Sequence, residues 1–182
     1  MRLFTGLDLP PEVAGRLAGL IEQLRPTAKI AWSPAANLHI TTKFIGEWPE
    51  ERLAELQAAL GELPPRAEIA VHVGGLGFYP NARSPRVFWC GVEAPGLAEL
   101  AADTDAATAR LGIASEKRAY SPHLTLARIR ERTELKALHQ RVANLGEADQ
   151  GRFEARSFFL YRSQLRPTGS LYTKLAEFPL SK

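Results

Sequence analysis

Two short stretches of this 182-residue chain nearly repeat each other: Asn37-Leu-His-Ile-Thr-Thr and Ser121-Pro-His-Leu-Thr-Leu lie 84 residues apart. Each follows a short turn-forming stretch and precedes a pattern of helical period. An echo of this kind predicts two similar halves, each offering one such strand to a shared cleft. In an extended strand successive side chains alternate faces, so His39 and Thr41 point one way and Ile40 the other. His123 and Thr125 repeat the arrangement around Leu124. Each strand therefore pairs an imidazole, which titrates near neutral pH, with a hydroxyl able to bind a phosphate oxygen.

Chance is a poor account of the pair. With 10 Thr and 8 Ser in the chain, a histidine finds a hydroxyl two residues on roughly one time in ten, so two of four doing so is about a one-in-twenty coincidence. The similar flanks make it rarer. His72, in Ile69-Ala-Val-His-Val, has no hydroxyl at that position, and His139 falls on a helix as a solvent-facing residue; both read as structural.

Periodicity gives strands near Leu3 to Leu9, Leu38 to Ile45, Glu68 to Phe78, Arg86 to Val92, His123 to Ile129, Phe153 to Ser163 and Leu171 to Phe178. Helices fit Pro11 to Leu24, Pro49 to Leu60, Leu97 to Leu111 and Glu134 to Asn144, several opened by Pro or closed near Gly. Consecutive strands separated by helices imply antiparallel pairing, and the fold class is α+β. No linker-like or low-complexity block interrupts residues 1–182, which read as one folding unit.

With 45% apolar and 24% charged residues the chain can bury a real core, but no apolar run approaches the ~20 residues needed to span a bilayer. The opening MRLFTGLDLPPE gains an acid and two prolines before any signal-peptide core forms, so a cytoplasmic location is expected. The single cysteine, Cys90, sits in the apolar run VFWCGV and reads as packing. Although the net charge is only +3, 17 of the 23 basic residues are arginine, whose guanidinium fork suits an anionic partner. A compositional habit rich in Ala, Gly and Pro explains that bias equally well.

Absent motifs narrow the chemistry. There is no H-x-H, H-E-x-x-H, cysteine pair or Asp-rich stretch to hold a hydrolytic metal, and no G-x-x-x-x-G-K-[ST] loop for a nucleoside triphosphate. No metal or cofactor is therefore expected. Gly74-Gly-Leu-Gly leads into Phe78-Tyr-Pro rather than a helix and reads as a bulge or turn. Two histidines flanking a phosphodiester can act without a metal: one takes a proton from water while the other protonates the departing ribose oxygen. The two threonine hydroxyls would hold the non-bridging oxygens.

The sequence resembles the 2H phosphoesterase superfamily, and within it the RNA 2′,3′-cyclic phosphodiesterases formerly called 2′-5′ RNA ligases. The matching segments are Arg2-Leu-Phe-Thr-Gly-Leu-Asp-Leu-Pro, Asn37-Leu-His-Ile-Thr-Thr-Lys-Phe-Ile-Gly, Pro85-Arg-Val-Phe-Trp, Ser121-Pro-His-Leu-Thr-Leu-Ala-Arg and Leu160-Tyr-Arg-Ser-Gln-Leu-Arg-Pro-Thr-Gly, which follow in order along nearly the whole chain. The resemblance implies a bilobal, pseudo-two-fold α+β fold, with two antiparallel sheets flanking a central cleft, helices outside and one H-x-T strand per lobe. It also implies metal-free hydrolysis of a terminal 2′,3′-cyclic phosphate to a 2′-phosphate. His39 would be the proton donor and His123 the acceptor, with Thr41, Thr125 and Arg128 binding phosphate. Strict alternation would turn Arg128, five residues beyond His123, to the opposite face unless the strand bulges or ends first. Thr42 stands where an apolar residue is commoner in the family.

The implied partner is RNA with a 2′,3′-cyclic end or a small cyclic nucleotide; no membrane or obligate protein partner is expected. The same residues would serve ligation of RNA ends in the reverse direction. A non-catalytic RNA-binding module is the rival of another class, using Arg83, Arg86, Arg118, Arg128 and Arg130 on phosphates, but it has no need of two titrating imidazoles.

Overall fold

The computed structural model describes residues 1–167 and 169–181. Thr168, in the last of the matching segments, lies outside the described residues. Among the described residues nine strands form two antiparallel sheets: β3-β1-β8-β9 and β2-β6-β5-β4-β7. The strands are β1 (Arg2–Leu7), β2 (Ala31–Trp32), β3 (Ile40–Glu47), β4 (Ile69–Tyr79), β5 (Val87–Glu93), β6 (His123–Arg128), β7 (Gly151–Ala155), β8 (Ser157–Arg166) and β9 (Gly169–Pro179). Four helices join them: α1 (Pro11–Leu24), α2 (Leu53–Gly61), α3 (Leu97–Arg110) and α4 (Lys136–Ala143). The α+β class with two sheets is as the sequence predicts. Among the described residues no helix is long and apolar enough to cross a membrane.

Each sheet is backed by helices. Leucines recur along α1 at helical spacing, so Val13, Leu17, Leu20, Ile21 and Leu24 are all buried while Glu12 and Arg16 pair on the outer face. Helix α1 lies over the second sheet, where Val13 and Arg16 abut Gly151 of β7. His139 of α4 packs against Phe78 of β4 with ring centroids 4.5 Å apart, so it is half-buried rather than solvent-facing. Helices α2 and α3 pack on each other and on β9 and β3 of the first sheet. Phe88, Cys90, Leu124 and Leu126 point inward from the second sheet at 0% exposure. Truncating such a leucine to alanine costs ~2–5 kcal/mol. Cys90 is packing, and burial pushes its thiol up to about 12.

The sequence reading needs correction at three places. The stretch read as one strand, Phe153 to Ser163, is broken at Arg156: β7 pairs with β4 in one sheet and β8 lies between β1 and β9 in the other. No Gly or Pro lies between Phe153 and Ser163 to mark the break, so the run read as one strand and hid the change of sheet. Helix α2 begins at Leu53, after a 3-10 turn over Glu50–Arg52 that occupies the start read from Pro49. The short strand β2 went unread because two residues carry no period. Gly74-Gly75 forms the expected bulge, with φ +79° at Gly75 and a register shift between Val73 and Leu76.

Candidate active site: two histidine strands and their bulges

The first histidine immediately precedes β3, the edge strand of its sheet; the second opens β6. Around His39, Leu38 and Ile40 are buried at 6% and 0% exposure, anchoring the strand so that the imidazole and Thr41 turn to the other face. The His39 ring is fixed at both nitrogens. Nδ1 donates to the Asn37 carbonyl at 2.7 Å, and Nε2 shares a 2.9 Å hydrogen bond with Thr41 Oγ1. Phe4 and Tyr172 pack on the ring at centroid distances of 4.6 and 5.1 Å. Gly6 pairs with Thr41, and a Cβ there would stand 2.6 Å from the Ile40 carbonyl oxygen, so only glycine allows β1 to lie this close.

Strand β6 repeats the design with less cover. His123 Nδ1 donates to the Ser121 carbonyl at 2.8 Å, which leaves Nε2 as the ring's other nitrogen, while the residue itself is exposed. Leu124 at 0% exposure anchors the strand below it. His123 pairs with Gly91 and Thr125 with Trp89, placing all four on one face of the sheet.

Both strands then bulge at the same point. In β3, Thr5 pairs with Lys43 and Gly6 with Thr41, so Thr42 is the extra residue; in β6, Phe88 pairs with Ala127 and Trp89 with Thr125, so Leu126 is. An extra residue reverses the alternation. Thr42 and Lys43 are consecutively buried, as are Leu126 and Ala127, and exposure resumes at Phe44 and at Arg128. Arg128 thus shares a face with His123 and Thr125, against strict alternation. The hydroxyl of the buried bulge residue Thr42 is satisfied by Thr5 Oγ1 at 2.7 Å, which accounts for a polar residue where an apolar one is commoner.

The two strands meet across the lobes. Tyr120, three residues before His123, donates its hydroxyl to the Thr41 carbonyl at 2.8 Å, and burial raises the pKa of its phenol. Lys43 is 5% exposed, and its ammonium binds Asp105 at 2.5 Å and the Ala114 carbonyl at 2.7 Å. Removing one member of such a buried pair costs ~3–5 kcal/mol. Desolvation would raise the Asp105 carboxyl, but hydrogen bonds from Lys43 and the Glu116 amide outweigh it and leave the pKa lowered. Together these bonds tie the segment leading to His123 onto β3.

Charge distinguishes the histidines. Burial is the largest influence on His39 and lowers its pKa; the Asn37 carbonyl opposes this, and the charges of Arg128 and His123 add to the lowering. Asp8 acts the other way. The fields of Arg128 and His123 are thus felt at His39, across the contact between β3 and β6.

The remaining histidines are elsewhere. His72 lies between Glu93 and Asp149 at 3.6 and 3.1 Å, tying the Asp149 turn to β4. Among the described residues no group of three His, Cys, Asp or Glu side chains is arranged to hold a metal ion. Sequence reasoning missed the Asn37 and Ser121 carbonyls because any residue supplies a carbonyl. Their position two before each histidine, inside the echo, was the available signal. Tyr120 and the aromatic wall of Phe4 and Tyr172 left no sequence signal, since only long-range packing brings Tyr120 to Thr41 and the two rings to His39.

Comparison with known proteins agrees with this geometry. The family described as LigT like Phosphoesterase matches twice, over residues 7–89 and 91–172, once for each histidine strand. A protein of Methanocaldococcus jannaschii named RNA 2′,3′-cyclic phosphodiesterase is 34% identical over 98% of this chain and 100% of its own length. One of the same name from Thermus thermophilus is 35% identical over 99% and 90%. A solved structure of a Thermus thermophilus protein superposes with a TM-score of 0.80 at 32% identity, covering 99% of this chain and 98% of the other. LigT of E. coli complexed with 3′-AMP gives 0.77 at 25% identity, covering 100% and 98%.

Proposed function

Because the chain belongs to the LigT-like phosphoesterase family, a family of phosphodiesterases, we propose that it opens 2′,3′-cyclic phosphates at RNA ends by acid–base catalysis between His39 and His123. The observation that carries this reading is the shared tautomer. Each Nδ1 is committed to a main-chain carbonyl two residues back, so each Nε2 is the nitrogen for substrate, that of His39 on exchanging its bond to Thr41, with a hydroxyl two residues on along the same strand.

In the proposed reaction His123 Nε2 takes a proton from water as the water oxygen bonds to phosphorus. The P–O3′ bond breaks, His39 Nε2 gives its proton to O3′, and a 2′-phosphate with a free 3′-hydroxyl is left. A ribose alkoxide is a poor leaving group, so proton donation is needed. Thr41 and Thr125 donate to the non-bridging oxygens, where charge grows in the transition state. Arg128 supplies a charge-assisted hydrogen bond to the same group. Burial lowers the pKa of His39 and so makes its imidazolium the stronger acid, while the bound phosphate provides the counter-charge that keeps it protonated. No step in this scheme passes through a metal.

The test is an RNA oligonucleotide ending in a 2′,3′-cyclic phosphate, incubated in excess EDTA, with the product isomer identified. Full activity and a 2′-phosphate are expected. Loss on chelation with recovery by a divalent ion would overturn the two-histidine scheme, and a 3′-phosphate would reverse the two roles.

A further inference from the structure

Residues 79–87, 116–118 and 128–132 come together at one end of the second sheet. Arg118 donates to the Tyr79 hydroxyl at 2.7 Å, the Arg86 amide to the Tyr79 carbonyl at 2.7 Å, and the Arg86 guanidinium to the Arg130 carbonyl at 3.2 Å. These segments hold seven arginines and lysines against two acids, Glu116 and Glu131, while the whole chain carries only +3. The rest of the molecule is therefore net negative, and positive potential is concentrated at this end.

The seven cations are all exposed, and among the described residues none joins an ion pair, whereas Arg16, Arg25, Arg52 and Arg66 are each matched to a carboxylate. The Glu116 carboxylate is turned to the amides of Lys117 and Arg118 rather than to a cation. The strip is continuous with the candidate site. Tyr79 pairs with Val87 and Val87 with Arg128, so these three stand in one row on the face that carries His123 and Thr125. From Arg128 to Tyr79 the row spans two strand spacings, about 10 Å.

Tyr79 adds a second chemistry. Its ring is 48% exposed and lies beneath the Arg118 guanidinium, 5.9 Å from the ring centre. The Asn81 side-chain oxygen accepts the amides of Arg83 and Ser84 at 3.0 Å each, which orders the loop beside it. An exposed aromatic ring among unpaired guanidiniums suits a single nucleic-acid strand, whose bases stack and whose phosphates meet the charge. An acidic peptide would use the cations but has no need of the ring.

We propose that this strip docks the body of a single-stranded RNA, which leaves the cleft over the second lobe along the row from Arg128 to Tyr79. That the strand's cyclic end lies at the histidines rests on the cyclic phosphodiesterase reading above.

The experiment measures binding of a fluorescent oligouridylate of about ten nucleotides, ending in a 2′-phosphate, by anisotropy between about 50 and 200 mM salt. The triple variant Arg83→Gln, Arg118→Gln, Arg130→Gln should bind about 10- to 100-fold more weakly at the low salt and flatten the log–log salt slope by about 2, at ~0.7 per phosphate contact on a single strand. The control triple Arg16→Gln, Arg25→Gln, Arg52→Gln removes the same charge elsewhere and should change neither. Tyr79→Leu should weaken binding about five-fold or more with the slope unmoved, because the ring carries no charge. The strip triple should hydrolyse cytidine 2′,3′-cyclic phosphate at the wild-type rate, since a mononucleotide has no strand to dock. Equal weakening by the two triples, an unchanged slope in the strip triple, or full affinity in Tyr79→Leu would overturn the strip. Competition by polyglutamate as effective as by unlabelled RNA would make it a site for acidic protein and overturn it too. Strip-dependent binding without hydrolysis of any cyclic end would support the strip and defeat only the reaction.

Discussion

The strands that carry His39 and His123 are alike in backbone and unlike in surroundings. Both tie Nδ1 to a carbonyl two residues earlier, and both bulge one residue after the threonine. Yet His39 is enclosed by Phe4 and Tyr172 and has a lowered pKa, whereas His123 opens to solvent. The shared backbone holds two imidazoles in the same way, and under the proposed scheme the unshared environment would give them different work. A buried imidazole gives up its proton more readily, and an exposed one has water at hand to activate.

The sharpest way to break this comparison is to remove each histidine in turn. His39→Ala and His123→Ala should each lower kcat/KM by about 100 to 10,000-fold, the usual range for a positioned acid or base. A substrate with a better leaving group at the 3′ position should rescue His39→Ala far more than His123→Ala; equal rescue would mean that the two environments do not set the roles.

The threonines come next. Thr41→Ala and Thr125→Ala should cost roughly 10 to 1,000-fold, the range for a single donor to a developing oxyanion. Thr41 also bonds His39 Nε2, so only Thr41→Ala should move the pH profile as well. Full activity in both variants would reduce them to strand-formers.

The charge of Arg128 is felt at the other strand's histidine, and its removal should act on both rate and pH dependence. Burial lowers the His39 pKa first and the Arg128 charge lowers it further, so Arg128→Gln lets it rise. If His39 must be protonated, the alkaline limb of kcat/KM then moves to higher pH, alongside an overall loss of about 10- to 100-fold from the missing charged hydrogen bond. A limb that moved to lower pH would contradict His39 as the donor.

The smallest expected effect lies in the bond joining the strands. Tyr120→Phe deletes one inter-lobe hydrogen bond, worth about 1 kcal/mol. Thermal melting should drop by about 2–4 °C, with kcat reduced a few-fold and both pH limbs unmoved. Moved limbs would show that Tyr120 tunes the histidines rather than fixing their spacing.

Much of this candidate site was legible in the sequence because the residues proposed for it sit in two strands with local alternation. His39 with Thr41, and His123 with Thr125, could be paired by counting to two. Arg128 could not, since counting fails where Leu126 enters the strand as an extra residue. Nothing in Leu126 itself marks a bulge, because a buried leucine suits an ordinary strand equally well. The partnership of Tyr120 with Thr41, and of Lys43 with Asp105, depends on which strand lies beside which, a long-range fact that no local pattern encodes. The change of sheet at Arg156 was hidden for the same reason.

That change of sheet has a consequence for how the molecule can be divided. The family pattern repeats with a boundary near residue 90, but β8 and β9 complete the sheet begun by β1 and β3, while β6 lies against β5 in the other. A fragment ending at that boundary would leave β1 with one bare edge and β5 without β6, exposing unpaired backbone on both sheets. The unit that recurs along the polymer is therefore not the unit that closes in space: each half is an open clasp, and the other half is the only piece of this chain shaped to fasten it.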